Sequence, residues 1–192
     1  METLCKTIIE WCKKYEPISN REYPIVMYGL QMFIANVVKM LGILIIGAFL
    51  KRELEVFVAL GVFCSMRYRT GGYHSKSHLG CFLIMLFCCT FPTAFVYISS
   101  GLGNAIFIFM GICAIMLILR YAPVNSKINP IKSESILKAN RRWAIIESIL
   151  ILLISFCVRN DEKCWFLIFP LFMDGVLLMM SNDNAGGEKN VY

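Results

Sequence analysis

From Ser77 to Leu119 the chain carries no aspartate, glutamate, lysine or arginine. About 20 mostly apolar residues suffice for a helix to cross the hydrocarbon core of a bilayer, so this run holds two crossings. Ser99, Ser100, Gly101, Gly103 and Asn104 interrupt it with turn-forming residues. The pattern predicts spans at about 79–98 and 103–120 joined by a tight turn. Composition agrees, with 58% of residues from the set AVILMFWYC and 17% charged, against about 45–50% and about 25% in a soluble domain. A disordered chain, a collagen and a nucleic-acid-binding domain are excluded, because the net charge of +6 sits in a lipid-like background.

Further apolar runs lie at about 25–50, 54–66, 143–158 and 164–180. The predicted fold is therefore all-α: a single polytopic helical bundle of about six transmembrane or re-entrant helices, with the bilayer as its solvent. The element at 54–66 is the short one, since 13 helical residues reach only about 20 Å, which suits a thinned, tilted or re-entrant segment. Cations accumulate on the cytoplasmic side of short loops. Six spans with both termini cytoplasmic put Lys6, Lys13, Lys14, Arg21, Arg67, Arg69, Lys76, Lys189 and the cations from Arg120 to Arg142 inside, and leave Lys51, Arg52, Arg159 and Lys163 outside.

Before the first span, Leu4, Ile8, Trp11 and Tyr15 recur at helical spacing opposite Lys6, Glu10, Lys13 and Lys14. That is the pattern of an amphipathic helix lying in the interface over residues 1–17, and it equally fits a surface helix packed on the bundle. The first residues have no signal-peptide core, and the polar tail at 181–192 reads as mobile. The nine cysteines mostly sit in apolar runs, where a thiol behaves as a small hydrophobe. An odd count in such places predicts reduced thiols rather than a disulfide framework.

One loop gathers the chemistry. It reads Arg67-Tyr68-Arg69-Thr70-Gly71-Gly72-Tyr73-His74-Ser75-Lys76-Ser77-His78-Leu79-Gly80-Cys81 and holds both histidines of the chain, three cations and a cysteine where the third span begins. The thiolate is the reactive form of cysteine and is a minor species at neutral pH unless a neighbouring cation favours it. A nucleophile, a base and a positive field are the parts needed for acyl transfer through a thioester. Spacing leaves the base open. In one straight helix His74 and Cys81 would share a face about 10.5 Å apart, so direct proton transfer from His74 needs a bend, for which Gly71 and Gly72 give freedom. His78, three residues from Cys81, is the better placed in a helix. The same His-x-x-x-His-x-x-Cys face suits zinc chemically, without an obvious fourth ligand nearby.

Arg67, Gly71-Gly72-Tyr73-His74 and Cys81, followed by Tyr121-Ala122-Pro123-Val124-Asn125 and Asn129-Pro130-Ile131, resemble the accessory gene regulator B family over nearly the whole chain. The resemblance implies a membrane cysteine endopeptidase of quorum sensing. It would cut the acidic tail from a short precursor peptide, hold the new carbonyl as a thioester on Cys81, and pass it to a precursor Cys or Ser to close a thiolactone or lactone. His74 would be the base, with Arg67 and Gly72 needed for activity and Gly71 beside them; His78 has no counterpart in the family pattern. The resemblance also implies a homodimer. No cofactor, metal or nucleic acid enters this reading.

The cations between Arg120 and Arg142 suit the acidic tail, with Lys127, Lys132 and Lys138 as expected binding residues. Their alternative role is topological signalling alone. Inside the spans, Lys39, Glu147 and Asp174 should face the interior, and a Lys39 to Asp174 contact is expected, with Asn36 one turn from Lys39. Those charges also support a rival reading, a small transporter or channel that would not need Cys81.

Overall fold

The computed structural model describes residues 2–13, 19, 22–71, 78–97, 100–124 and 133–184. Among them lie seven α-helices: α1 (Glu2–Cys12), α2 (Tyr23–Phe49), α3 (Glu53–Thr70), α4 (His78–Thr90), α5 (Ser100–Tyr121), α6 (Glu134–Cys157) and α7 (Cys164–Asn184), with a 3-10 helix at Phe91–Tyr97 between α4 and α5. There is no sheet among the described residues, only an isolated parallel bridge between Gly71 and Val124. An all-helical membrane bundle is what the apolar runs predict. Four helical stretches are long and apolar enough to cross a bilayer: Tyr23–Phe49, Leu79–Val96, Leu102–Tyr121 and Cys164–Ser181. The other two long helices carry more charge, α3 through Glu53, Glu55, Arg67 and Arg69 and α6 through residues such as Arg141, Arg142 and Glu147.

Several boundaries differ from the sequence expectation. The segment expected at 54–66 is longer, 18 residues from Glu53 to Thr70, which is about 27 Å of helix; its two arginines belong to the helix rather than to the loop. The interruption expected at Ser99–Asn104 comes earlier. Ser100 to Asn104 already lie in α5, and the α-helical pattern of α4 ends at Thr90, giving way to the 3-10 helix that starts at Phe91, where Pro92 has no N–H to give to the helical ladder. Lys138, Arg141 and Arg142, read as loop residues, lie on α6. α7 runs on to Asn184, so the expected tail begins in helix, and residues 185–192 lie outside the described residues.

The helices form two compact units, Met1–Ile45 and Ile46–Tyr192. In the first, the Ser19 and Glu22 side chains cap one another's backbone N–H groups ahead of α2, the reciprocal capping box that S-x-x-E predicts. The hydroxyl of Ser19 also donates to the Glu22 carboxylate, and these bonds hold that carboxyl below its usual range. On α1, Cys5 and Ile9 are buried while Leu4 and Trp11 are exposed.

In the second unit α7 is the axis. It packs against α3, α4, the 3-10 helix, α5 and α6, and Phe166, Ile168, Leu171 and Leu178 are fully buried. An aromatic cluster holds its first half: Phe95 stacks on Trp165 with ring centroids 5.0 Å apart, Phe91 lies 5.2 Å from Phe169, and Phe107 meets Trp165 edge-on. Its second half is held by close backbone approach, because a Cβ on Gly175 would lie 3.0 Å from Cβ of Leu117. At one end of this unit Arg52 bridges to Glu162 at 2.8 Å. This joins two of the turns that the charge pattern sorts together.

Gly175→Leu should force α5 and α7 apart and lower stability by about 1–3 kcal/mol, whereas Gly61→Ala, whose Cβ meets nothing within 4 Å, should be neutral or stabilising. Thermal unfolding in detergent measures both; equal midpoints would contradict the close α5–α7 contact.

Candidate active site

The chain leaves α3 at Gly71 and re-enters helix at His78, and the geometry of the site begins with what fixes the end of α3. Asp174, in the middle of α7, is fully buried. Its Oδ2 lies 3.0 Å from the hydroxyl of Thr70, and its Oδ1 faces Nη1 of Arg67 at 3.8 Å. The Thr70 hydroxyl is also 2.8 Å from the carbonyl oxygen of Met66; with one proton it donates to one acceptor at a time. The Arg67 side chain is 17% exposed and lies against the Phe63 ring. Asp174 thus meets Arg67 and Thr70; within the first unit, Lys39 donates to Oδ1 of Asn36 at 3.0 Å, the neighbour expected one turn away.

Two residues on, Arg69 turns to the neighbouring helix. Its Nε donates to Oε2 of Glu147 at 2.7 Å, and its guanidinium lies over the Trp143 ring, 5.2 Å from the centroid. Consecutive polar residues of one helical turn therefore pin α3 to α7 and to α6. Gly71 then turns the chain with φ 68° and ψ −132°, a conformation that side chains with a Cβ rarely adopt. The Val124 N–H donates to the Thr70 carbonyl at 2.9 Å, and a Cβ on Gly71 would stand 2.6 Å from the Val124 carbonyl oxygen. The loop after α3 and the loop after α5 hence start side by side. A guanidinium N–H of Arg141 on α6 donates to the Leu119 carbonyl at 3.3 Å, closing the same end.

Cys81 stands in the first turn of α4, half-buried, and its thiol is free of any disulfide, as are the other eight. It lies within electrostatic reach of Cys64 on α3, while Cys88, two turns further along α4, lies within reach of Arg67 and Asp174. α4 therefore lines the face of α3 that carries Cys64 and Arg67, one helical turn apart.

Of the residues singled out in the sequence, Arg67, Gly71 and Cys81 are brought to one end of the second unit. Gly72 and His74 lie outside the described residues, as does the side chain of His78, so the choice of base and the zinc reading do too. Lys127 and Lys132 also lie outside them. Lys138 sits exposed on α6 with its ammonium 3.4 Å from Glu134, a solvent-facing pair of little net strength. Sequence reasoning missed Asp174 as the partner of this site. Its signal was there, a lone carboxylate in an apolar run, but periodicity does not say which cation it meets. Thr70 and Cys64 gave no signal beyond their neighbours.

Four helical stretches apolar enough to cross a bilayer fit a multi-pass membrane protein. The chain belongs to the accessory gene regulator B family, whose model matches residues 5–180. It is 26% identical over 152 residues, 76% of this chain and 71% of the relative, to a putative AgrB-like protein of Clostridium perfringens. It is 25% identical over 175 residues, 91% and 87%, to one from Lactiplantibacillus plantarum. It is 21% identical over 169 residues, 88% and 89%, to accessory gene regulator protein B of Staphylococcus aureus. No solved structure matches it.

Gly71→Ala should break the Thr70–Val124 backbone contact and cost about 1–3 kcal/mol. Hydrogen exchange of the Val124 amide reads this directly: protection should fall in the variant, and unchanged protection would contradict the bridge.

Proposed function

We propose that this protein is a membrane cysteine endopeptidase that cuts the acidic tail from a short precursor peptide and closes the remainder into a ring. The observation that carries the reading is the placing of Cys81, half-buried in the first turn of α4 and directly after the loop that leaves Gly71, in a chain of this family. Thiolate attack on the scissile carbonyl forms the carbon–sulfur bond, and collapse of the tetrahedral adduct breaks the carbon–nitrogen bond. His74 takes the thiol proton and returns it to the departing amine, the exchange that a base beside a nucleophile performs. His78 is the alternative base.

The acyl group then rests on Cys81 as a thioester. A precursor thiol attacks it, its proton passes to the base, and the Cys81 thiol is regenerated. One thioester replaces another, so the activation of the acyl group is kept through the exchange, provided water is excluded until the ring closes. The apolar first turns of α4 and the packed α3 supply an environment of that kind. The acidic tail is drawn to the cationic end of α6 and the preceding loop through Lys127, Lys132 and Lys138, with Lys138 exchanging Glu134 for the tail. In this reading Gly71 and Gly72 shape the loop, Arg67 supports it, and both termini and the site face the cytoplasm in a homodimer within the bilayer.

The test is cleavage of a synthetic precursor having an amphipathic N-terminal helix, an internal cysteine and an acidic tail, by the purified protein in lipid. Cys81→Ala and His74→Ala should each lower the rate by about 100-fold or more, and His78→Ala should leave it within a few-fold. Undiminished cleavage by Cys81→Ala would overturn the reading. A large loss with His78→Ala alone would move the base to His78.

A further inference from the structure

Gly111 on α5 faces Leu152 on α6, and Leu119 faces Arg141, so the two helices run antiparallel. They approach closely at the glycine, where a Cβ would lie 2.9 Å from Cδ1 of Leu152. Beside this contact lies a groove of about 510 Å³, within the range of about 300–1,000 Å³ that ligand pockets occupy. Ile108, Ile112 and Met116, recurring every fourth residue of α5, line one wall, and Leu152, Leu153 and Phe156 on the last turns of α6 line the other. Every lining side chain is apolar, and α5 is long and apolar enough to cross a bilayer, which puts the groove at hydrocarbon depth. An apolar hollow of this kind holds no water and, left empty, forfeits the contacts of its walls. Its occupant is therefore apolar. From Phe107 to Met116 the α5 wall runs about 14 Å, close to one leaflet of a hydrocarbon core of about 30 Å.

The groove has a charged end. Arg159, in the turn after α6, lies over the Phe156 ring with its guanidinium 5.0 Å from the centroid. The start of α5 and the end of α6 come together there, so their dipoles oppose and the side chains set the local charge. Arg52 is bridged to Glu55 and Glu162, and Lys163 to Asp161. Among the described residues Arg159 has no carboxylate at ion-pair distance; it is exposed, and its planar guanidinium suits two phosphate oxygens at once. We propose that the groove between α5 and α6 binds a phospholipid, with one acyl chain along Ile108, Ile112 and Met116 and the phosphodiester on Arg159. A bilayer supplies both parts at this spacing: the chain fills a hollow of about one leaflet's length, and the phosphate meets the cation at its boundary. A helix of a second copy would also fill the groove, but it would leave Arg159 unanswered. The site does not depend on the role of Cys81.

The experiment uses the full chain in maltoside micelles, which carry no phosphate, titrated with phosphatidylglycerol bearing a diazirine in one acyl chain. Cross-linked residues are mapped by mass spectrometry, and a diacylglycerol with the same chains and diazirine serves as the probe without phosphate. Labelling by phosphatidylglycerol should saturate and concentrate on the groove residues, and the diacylglycerol should need about 10-fold more probe to reach the same level. Arg159→Gln should raise the half-saturating concentration of phosphatidylglycerol by about 10-fold, and Arg159→Lys, which keeps the charge, by less. Ile112→Trp, at an exposed position inside the groove, should remove the groove labelling, whereas Phe109→Trp, exposed on α5 outside the groove, should leave it unchanged. Labelling that does not saturate and spreads evenly over the exposed apolar residues would show annular lipid only and overturn the proposal, as would equal labelling by the two probes. Groove residues left unlabelled while other apolar residues react would assign the groove to a protein helix and overturn it too. Should the Ile112→Trp protein not accumulate, Arg159→Gln decides: an unchanged half-saturating concentration overturns the proposal.

Discussion

Asp174 places a carboxylate in the middle of a helix that is otherwise apolar enough to cross a bilayer. A charge at that depth costs about 2.5–3.5 kcal/mol by insertion scales, and removing one partner of a buried pair costs about 3–5 kcal/mol. The chain meets this cost with Arg67 and Thr70, both from the last turn of α3. A polar contact in an apolar interior has few alternatives, so it specifies register in a way that leucine against leucine does not. Here the register it specifies is that of α3 on α7, and the backbone that leads to the candidate site begins there.

The rest of the second unit arranges itself around that register. Arg69 and Glu147 fix the same turn of α3 to α6, and the Thr70–Val124 and Arg141–Leu119 bonds gather the ends of α5 and α6 beside it. At the other end, Arg52 and Glu162 join the start of α3 to the turn before α7, and the aromatic cluster of Phe91, Phe95, Trp165 and Phe169 fills the space between. Helix α3, the least apolar of the set, is thus the most tied down by charge. Its polar residues would be poorly suited to lipid if they were not turned inward, and the bonds that turn them inward also fix the end of α3.

Much of this was legible in the sequence. The charge-free run from Ser77 to Leu119 was enough for an all-helical membrane fold, because no other structure satisfies the backbone in hydrocarbon. The spacing of Arg67, Gly71, His74 and Cys81 was enough for the family. What failed did so for identifiable reasons. The end of the 54–66 segment was drawn at the arginines because exposed arginines mark loops, and these are half-buried and paired with α6 and α7. The break before α5 was drawn at Ser99–Asn104 because such residues favour turns, whereas Pro92 and the aromatic packing of Phe91 and Phe95 interrupt the helix first. Asp174 was legible as an interior charge by its depth, but its partners on α3, Arg67 and Thr70, were not; a one-dimensional pattern gives depth but not which helices touch. Gly71, by contrast, was read as a source of freedom, with a plain turn as the alternative, and it makes a turn at φ 68° that suits glycine, close against Val124.

In the proposed reaction Cys81 carries the precursor's new acyl group as a thioester between cutting and ring closure. The measurement that tests it most directly is the intact mass of the protein after rapid quenching with a precursor whose internal cysteine is replaced by alanine, so that the acyl group has no ring to close. An adduct with the mass of the truncated precursor, mapped to Cys81 and released by hydroxylamine, is the predicted result. Tail release without any adduct on Cys81, or an adduct that maps to Cys64 or Cys88, would contradict it.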